Sequence, residues 1–188
     1  MFEELLSRIG RILEEHSLPY MIIGGQAVLL YGEPRLTRDI DVTLGVDVAS
    51  LPTLLTAVRE AEFKPLPENI PQFVRNTMVL PAVDEQSGVR VDFIFSFTPY
   101  EQEAIARAKT VSIEGQDIRF ASAEDVVIHK IFAGRPRDLE DVHSIVLKNP
   151  GIDRTYIGNW LEQFDDSSDE TDGKSFVETF LKVVEDVT

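Results

Sequence analysis

Residues 38–44 read Arg-Asp-Ile-Asp-Val-Thr-Leu, and from Asp39 onward polar and apolar side chains alternate. This pattern is typical of a β-strand with one face in the core, because successive side chains of a strand point to opposite faces. The apolar members would enter the core, while Asp39 and Asp41 would project together from the other face. Any fold for this chain therefore has to place two neighbouring carboxylates on an accessible sheet face.

The carboxylate pair has an electrostatic cost that needs an explanation. Two like charges this close repel, and in isolation one group would tend to keep its proton. A divalent cation removes that cost, and hard oxygen ligands suit Mg²⁺ or Mn²⁺. An Asp-x-Asp pair alone more often lies on a solvated strand face or in a turn, so further residues have to decide.

A third carboxylate, Asp92, lies within the otherwise strongly apolar segment 89–95, which is predicted to be another strand. A carboxylate among such neighbours is rarely buried unless it is paired or bound to a metal. A third ligand from a neighbouring strand is what a two-metal site needs. The alternative is an aspartate that faces solvent on a half-exposed sheet.

Gly24 and Gly25 follow a short apolar strand, 20–23, and precede a helix predicted over 26–31. Glycines let the backbone approach a phosphate closely, and the N-terminus of the following helix presents unpaired N–H groups and the positive end of its dipole. A Gly-Gly pair at such a position is more often simply a turn.

The residues before the Asp-x-Asp pair add a hydroxyl and two cations. Thr37 shares the predicted strand face of the two aspartates, and Arg35 and Arg38 lie beside it. Cations next to a polyanionic substrate would offset phosphate charge. Surface arginines that balance an acidic chain are an equally good interpretation.

Two later helices carry further charged candidates. Lys130 lies on the apolar side of a helix predicted over 122–132, so its ammonium either extends to solvent or points at a buried anion. Asp138 and Asp141 lie three residues apart on the next helix and share roughly one face. They could position Lys130 or Arg137, or serve as carboxylates that favour the dipole at the helix N-terminus.

Together these residues resemble the signature of the DNA polymerase β-type nucleotidyltransferase superfamily. There a Gly-Gly or Gly-Ser turn precedes an Asp-hydrophobic-Asp strand, and a third Asp follows on a later strand. The form Arg-x-Thr-x-Asp-Ile-Asp at 35–41, and Lys130 followed by Arg-Asp-x-x-Asp at 137–141, resemble most closely the abortive-infection toxin-like (AbiEii-like) branch. The resemblance spans residues 20–145. Gly25 stands where many members have Ser, and the chain is short for the toxin branch.

The resemblance implies an α/β fold of the mixed, α+β kind, namely a polymerase β-like palm with a helical C-terminal part. It also implies an enzyme that moves an NMP group from an NTP, such as ATP, to an acceptor hydroxyl by a two-metal mechanism, with Mg²⁺ or Mn²⁺ as cofactor. The implied catalytic and metal-binding residues are Asp39, Asp41 and Asp92. The implied nucleotide-binding residues are Gly24, Gly25, Arg35, Thr37, Arg38 and Lys130, and the possible substrate-positioning residues are Arg137, Asp138 and Asp141.

Several features of the function stay open at this level. The acceptor could be an RNA 3′ end, a protein or a small-molecule hydroxyl, and a toxin-antitoxin or phage-defence role would add an antitoxin protein as partner. The alternative is a non-catalytic module that binds a nucleotide or a partner protein on the same fold. The three intact aspartates favour the enzyme.

Composition excludes other classes of protein. The 188 residues contain no cysteine, which rules out a disulfide scaffold, a Cys-based zinc site, an iron–sulfur cluster and a thiol nucleophile. The chain lacks an apolar run of the roughly 18 residues that a transmembrane helix needs. Charged residues interrupt the apolar pattern of the first 17 residues, so no signal peptide is predicted. We expect a cytoplasmic protein with no membrane partner.

The charge distribution separates the chain into parts. The formal net charge is -15, of which the residues from Glu162 onward contribute nine acidic and two basic groups, a net of -7. Such an excess disfavours non-specific binding to nucleic acids or anionic membranes, although metal-bound aspartates would not oppose a phosphate-bearing substrate.

We predict one nucleotidyltransferase-like domain over 1–161, an acidic linker over 162–174 and an amphipathic helix over 175–188. That helix would pack on the core or on a partner.

Overall fold

The computed structural model describes residues 1–167 and 175–185 and arranges them as a mixed β-sheet with α-helices. The strands are β1 Tyr20–Ile23, β2 Asp39–Leu44, β3 Lys64–Pro65, β4 Val79–Val83, β5 Arg90–Phe95, β6 Lys109–Ile113 and β7 Gln116–Phe120. The helices are α1 Phe2–Glu15, α2 Gly24–Tyr31, α3 Leu51–Glu60, α4 Ile70–Thr77, α5 Pro99–Arg107, α6 Ala123–Ala133, α7 Pro136–Lys148, α8 Arg154–Ser167 and α9 Phe176–Glu185.

Over the described residues, the sheet has seven strands in the order β3-β4-β5-β2-β1-β7-β6. β2 runs parallel to β5 and antiparallel to β1, and β1 runs parallel to β7. The remaining neighbours are antiparallel. This mixed sheet, combined with helices, confirms the predicted fold class. Within the described ranges, no helix is both long and apolar enough to cross a lipid bilayer.

The chain divides into two compact units. The first comprises residues 1–26 and 36–121 and contains the sheet. Its core includes the apolar face of β2, where Ile40, Val42 and Leu44 are completely buried, as the alternation predicts. The burial of apolar side chains is the main stabilising contribution for such a strand.

The second unit comprises residues 27–35 together with the described residues from Ser122 onward. Its helices α6, α8 and α9 meet at an aromatic cluster, in which Phe132 stacks on Phe176 with ring centroids 5.3 Å apart and meets the edge of Phe164 at 6.0 Å. Helix α9 buries Phe180 and Val184, so its apolar face packs against the helices of its own unit.

Part of the predicted acidic linker is helical. Residues 162–167 form the last turns of α8, and 168–174 and 186–188 lie outside the described residues. Asp165 caps α9, because it accepts a hydrogen bond from the Ser175 hydroxyl at 2.5 Å and one from the Phe176 N–H at 2.7 Å. Burial alone would raise the pKa of Asp165, but these hydrogen bonds lower it below its usual range. The division into domains stays a prediction.

One sequence-based expectation about local structure is wrong. Residues 73–83 are rich in β-type residues, and this pattern predicts a strand over the whole segment. The strand begins only at Val79, because the preceding residues form α4. The Asn69 side chain accepts a hydrogen bond from the Gln72 N–H at 3.3 Å, and Pro71 lies in the first turn. Both features favour a helix start, and the cap at 69–71 outweighs the β-type residues that follow.

Candidate active site

The three predicted metal ligands lie on one face of the sheet of the first unit. In the parallel pair β2–β5, Asp41 lies opposite Asp92, and Asp39 lies opposite Arg90. Residues two apart on a strand point the same way, so the parallel register aligns the carboxylates of two strands. Asp39 is exposed, whereas Asp41 and Asp92 are half-buried.

The donor chemistry of this acidic face fits a divalent metal ion. The face offers oxygen donors, the type that Mg²⁺ and Mn²⁺ prefer, from Asp39, Asp41 and Asp92. Among the described residues, no three His, Asp or Glu side chains are gathered into a metal-binding group. Residue type and register therefore suit a cation, while the side chains do not adopt a closed ligand arrangement.

An arginine lies within this acidic face. The Arg90 Nε donates a hydrogen bond to Asp92 Oδ1 at 2.8 Å, and the side chains are 53% and 18% exposed, respectively. Sequence reasoning missed Arg90 as a site residue. The available signal was its spacing, because a residue two positions before Asp92 on a strand must share its face.

Gly24 forms the turn from β1 into α2 and lies against Asp41. Its φ is +63°, and a Cβ built there would lie 2.0 Å from Asp41 Oδ2. Only glycine combines this left-handed backbone with space for the carboxylate. Gly25 follows inside the first turn of α2 and is buried. The strand-to-helix turn therefore packs its backbone directly against one of the candidate metal ligands.

Thr37 is held by a residue that the sequence did not single out. The Gln26 side chain donates a hydrogen bond from Nε2 to Thr37 Oγ1 at 2.8 Å, and the two residues are 5% and 8% exposed. A hydroxyl that accepts this bond still has its own proton to donate. Arg38, the next residue, is exposed. No sequence pattern distinguished Gln26 from an ordinary helical glutamine.

The second unit contains a buried ionic network centred on Lys130, which is only 6% exposed. The Lys130 Nζ lies 2.7 Å from Asp138 Oδ1 and 2.9 Å from Asp141 Oδ2. Arg135 pairs with Asp138 through Nε at 2.6 Å, and Arg35 holds Asp141 in a bidentate contact at 3.0 and 3.1 Å. Of the alternatives for Lys130, the structure therefore has the ammonium pointing at buried anions.

The network favours the charged form of Asp138. Burial alone would raise the pKa of Asp138, but hydrogen bonds from Arg135 and Lys130, together with their positive charge, lower it below its ordinary value. Removing one partner from such a buried arrangement is costly because it leaves an uncompensated charge. Asp138 and Asp141 thus position Lys130, and Asp141 also positions Arg35, whereas Arg137 is exposed.

The predicted site residues fall into two groups. The first unit holds the acidic face together with Gly24, Gly25, Thr37 and Arg38; the second holds the Lys130 network and Arg137. That all of them serve a single substrate stays a prediction.

The mixed sheet, with aspartates side by side on neighbouring parallel strands and a glycine turn against one of them, has the arrangement that the resemblance to the polymerase β-type nucleotidyltransferases implied. The chain belongs to the family described as "Nucleotidyltransferase of unknown function (DUF6036)", whose model matches residues 2–186. The resemblance at the superfamily level is thereby confirmed. Among curated protein sequences, no significant match was found.

Solved structures share the fold at low sequence identity. An antigenic nucleotidyltransferase-like protein from Paracoccidioides brasiliensis superimposes with a TM-score of 0.64 at 17% identity, covering 98% of this chain and 87% of that one. The solution structure of the antibiotic-resistance factor ANT(2″)-Ia gives 0.58 at 19% identity, covering 87% and 91%. ANT(2″)-Ia in complex with adenylyl-2″-tobramycin gives 0.57 at 19% identity, covering 87% and 97%.

The Gly24–Asp41 contact generates the first prediction. Gly24→Ala should lower the free energy of unfolding by roughly 1–3 kcal/mol, because a left-handed backbone and a clash with a carboxylate add their costs. It should also displace Asp41 and weaken metal-dependent nucleotide binding. Chemical denaturation and a thermal-shift assay with Mg²⁺ and ATP measure the two effects.

Gly88→Ala is the matched control for this substitution. Gly88 also has a positive φ, of +72°, but a Cβ there would meet nothing within 4 Å. It should therefore lose stability from backbone strain alone and keep its nucleotide response. Equal effects of the two substitutions on nucleotide binding would contradict the role assigned to Gly24.

The ionic network generates a prediction about pH. The pKa of Asp138 lies below its ordinary value of 3.8, so its charged form stabilises the fold fully above that value, and this contribution is lost as the pH falls through the folded-state pKa. Asp138→Asn should therefore cost about 1–3 kcal/mol at pH 7, and the difference from wild type should shrink below about pH 4.

Urea denaturation between pH 3 and pH 7 tests this dependence. Glu140→Gln, an exposed neighbour on the same helix, is the control and should change stability little at any pH. If the difference in stability between wild type and Asp138→Asn stays constant over the whole range, the charge of Asp138 does not stabilise the fold.

Proposed function

We propose that this chain is a metal-dependent enzyme that moves an NMP group from an NTP to an acceptor hydroxyl and releases pyrophosphate. The observation that carries this proposal is the juxtaposition of Asp41 with Asp92 on parallel strands and with Gly24 at the start of α2. Carboxylates beside a helix N-terminus supply both kinds of group that a nucleoside triphosphate needs, namely metal ligands and phosphate-binding N–H donors.

Asp39, Asp41 and Asp92 would hold the divalent cations of a two-metal site, Mg²⁺ or Mn²⁺. When bound, such cations neutralise charge that develops on the phosphoryl oxygens and activate the attacking hydroxyl. The half-buried Asp41 and Asp92 lie side by side and would share in holding a cation, and the exposed Asp39 would add a carboxylate that a cation can reach from solvent.

The chain's own donors would bind the triphosphate. The backbone N–H groups around Gly24 and Gly25 lie at the positive end of α2, where an anion is stabilised. Thr37 accepts a hydrogen bond from the Gln26 amide and keeps its own hydroxyl proton to donate to a phosphate. Arg38 is exposed and adds positive charge next to Asp39.

We assign Arg35 and Lys130 to nucleotide binding as well, with Asp138, Asp141 and Arg137 as substrate-positioning residues. The bidentate hydrogen bonds from Arg35 to Asp141 support this assignment. A guanidinium that is oriented by two of its N–H groups can donate its remaining N–H groups to a phosphate. Lys130 contacts two carboxylates, which fix the orientation of its ammonium group.

For the acceptor, a small-molecule hydroxyl is the first class to test. The shared fold with ANT(2″)-Ia, solved with adenylyl-2″-tobramycin, supports transfer to such a hydroxyl. RNA 3′ ends and protein hydroxyls suit the same chemistry and complete the acceptor panel. We expect the reaction in the cytoplasm, where NTPs are available.

The main test is a thermal-shift panel of the four NTPs with and without Mg²⁺, followed by a pyrophosphate-release assay with the three acceptor classes. We expect metal-dependent stabilisation by at least one NTP, and its loss in Asp41→Asn, because a neutral amide is a poor ligand for Mg²⁺. Asp117→Asn changes an exposed strand aspartate outside the acidic face and should behave like wild type.

The same panel separates the enzyme from the alternative of a non-catalytic binding module. Nucleotide binding that is independent of metal and produces no pyrophosphate with any acceptor would support the binding module and contradict the enzyme.

A toxin or phage-defence role, as in the AbiEii-like branch, is a further proposal about the enzyme's use. We expect expression in a bacterial host to lower the count of colony-forming units, and Asp39→Ala to restore growth because it removes a proposed metal ligand. Normal growth of cells that demonstrably accumulate the wild-type protein would contradict the toxin role and leave the chemistry unaffected.

A further inference from the structure

Arg90 is a cation built into the candidate metal site. Its Nε lies 2.8 Å from Asp92 Oδ1, and its backbone lies opposite Asp39 in the parallel ladder. Because Asp92 and Asp39 flank it, Arg90 shares the face that carries the aspartates. The β2–β5 register places these positions on directly neighbouring strands.

The ion pair contributes little to the stability of the fold. The Arg90 side chain is 53% exposed, and exposed pairs gain little because water screens the charges. Among the residues that the structure describes, the Asp92 carboxylate is the hydrogen-bond partner found for the guanidinium. An arginine has five N–H donors, so most of its donor capacity is open to another anion.

The guanidinium and a divalent cation make opposing demands on Asp92. The guanidinium of Arg90 and a divalent cation would both contact Asp92 Oδ1 or lie next to it. Because both are positively charged, they repel each other when they are that close. A nucleoside triphosphate changes this balance, because its phosphates offer the displaced guanidinium a bidentate anionic partner. The divalent cation then no longer competes with Arg90 for Asp92. The guanidinium of Arg90 pairs with a phosphate instead of the Asp92 carboxylate.

We propose that Arg90 is a positioning residue that competes with the divalent cation for Asp92 and pairs with a phosphate of the NTP once it is displaced. Cation and nucleotide therefore favour each other's binding, and the site takes up the metal mainly together with its substrate. Because such coupling is reciprocal, the nucleotide also binds more tightly in the presence of the metal. This inference rests on the proposed metal-dependent function.

Mn²⁺ binding, followed by the electron paramagnetic resonance signal of the free ion, tests the competition without turnover. The titrations use wild type and Arg90→Gln, each with and without α,β-methylene-ATP, which cannot release pyrophosphate. Without nucleotide, Arg90→Gln should bind Mn²⁺ about two- to fivefold more tightly, the range that an exposed ion pair supports. With the analogue, wild type should gain affinity for Mn²⁺, and Arg90→Gln should gain clearly less.

Two further variants make the result specific. Arg75→Gln removes an exposed arginine from α4 and should leave both titrations unchanged, which controls for net charge. Arg90→Lys keeps the positive charge but lacks the planar, two-pronged donor set. It should compete with Mn²⁺ and yet show reduced coupling to the nucleotide. Thermal unfolding of each variant checks that it is folded. If Arg90→Gln does not fold, the reduced coupling expected for Arg90→Lys tests the proposal instead.

The outcomes distinguish this inference from the function on which it rests. If wild type binds Mn²⁺ and Arg90→Gln binds it equally or less tightly, with the same gain from the analogue, the role of Arg90 is wrong and the enzyme stands. If neither protein binds Mn²⁺ with or without the analogue, the metal-dependent function fails and the inference fails with it.

Discussion

The site depends on one close contact, between the carboxylate of Asp41 and the backbone of Gly24. A side chain at position 24 would overlap that carboxylate, so the strand-to-helix turn and the acidic strand can approach each other only through a glycine. This contact brings a helix N-terminus beside β2, and the parallel register of β2 with β5 adds Asp92. The candidate metal ligands and the N–H groups at the start of α2 thus lie together because of backbone geometry.

The charged residues are organised in two different ways. In the first unit, the acidic face is half-exposed and its carboxylates repel each other, so it gains from any cation that binds there, Arg90 included. In the second unit, Lys130, Arg35 and Arg135 already neutralise Asp138 and Asp141. The first arrangement is suited to binding an ion, and the second to fixing the orientation of its own side chains.

Helix α9 illustrates how polar groups define the ends of elements in this chain. Asp165, in a stretch whose composition predicted a linker, accepts hydrogen bonds from the first residues of α9. Asn69 and Pro71 similarly start a helix where β-type residues predicted a strand. In both places a single cap outweighs the average propensity of the segment, because unpaired N–H groups at a helix start need an acceptor.

The sequence by itself determined the half-buried strand and the three candidate aspartates, since alternation and residue chemistry are local patterns that need no knowledge of distant residues. Its resemblance to the nucleotidyltransferases implied the mixed α/β class. Only the tertiary structure decided that Asp41 lies beside Asp92, that Lys130 points at Asp138 and Asp141, and that Gln26 holds Thr37. It also placed Arg90 among the carboxylates. The Asp41–Asp92 pair joins separate strands and the Lys130 contacts join separate helices, so strand register and helix packing, which local propensity does not specify, set these distances.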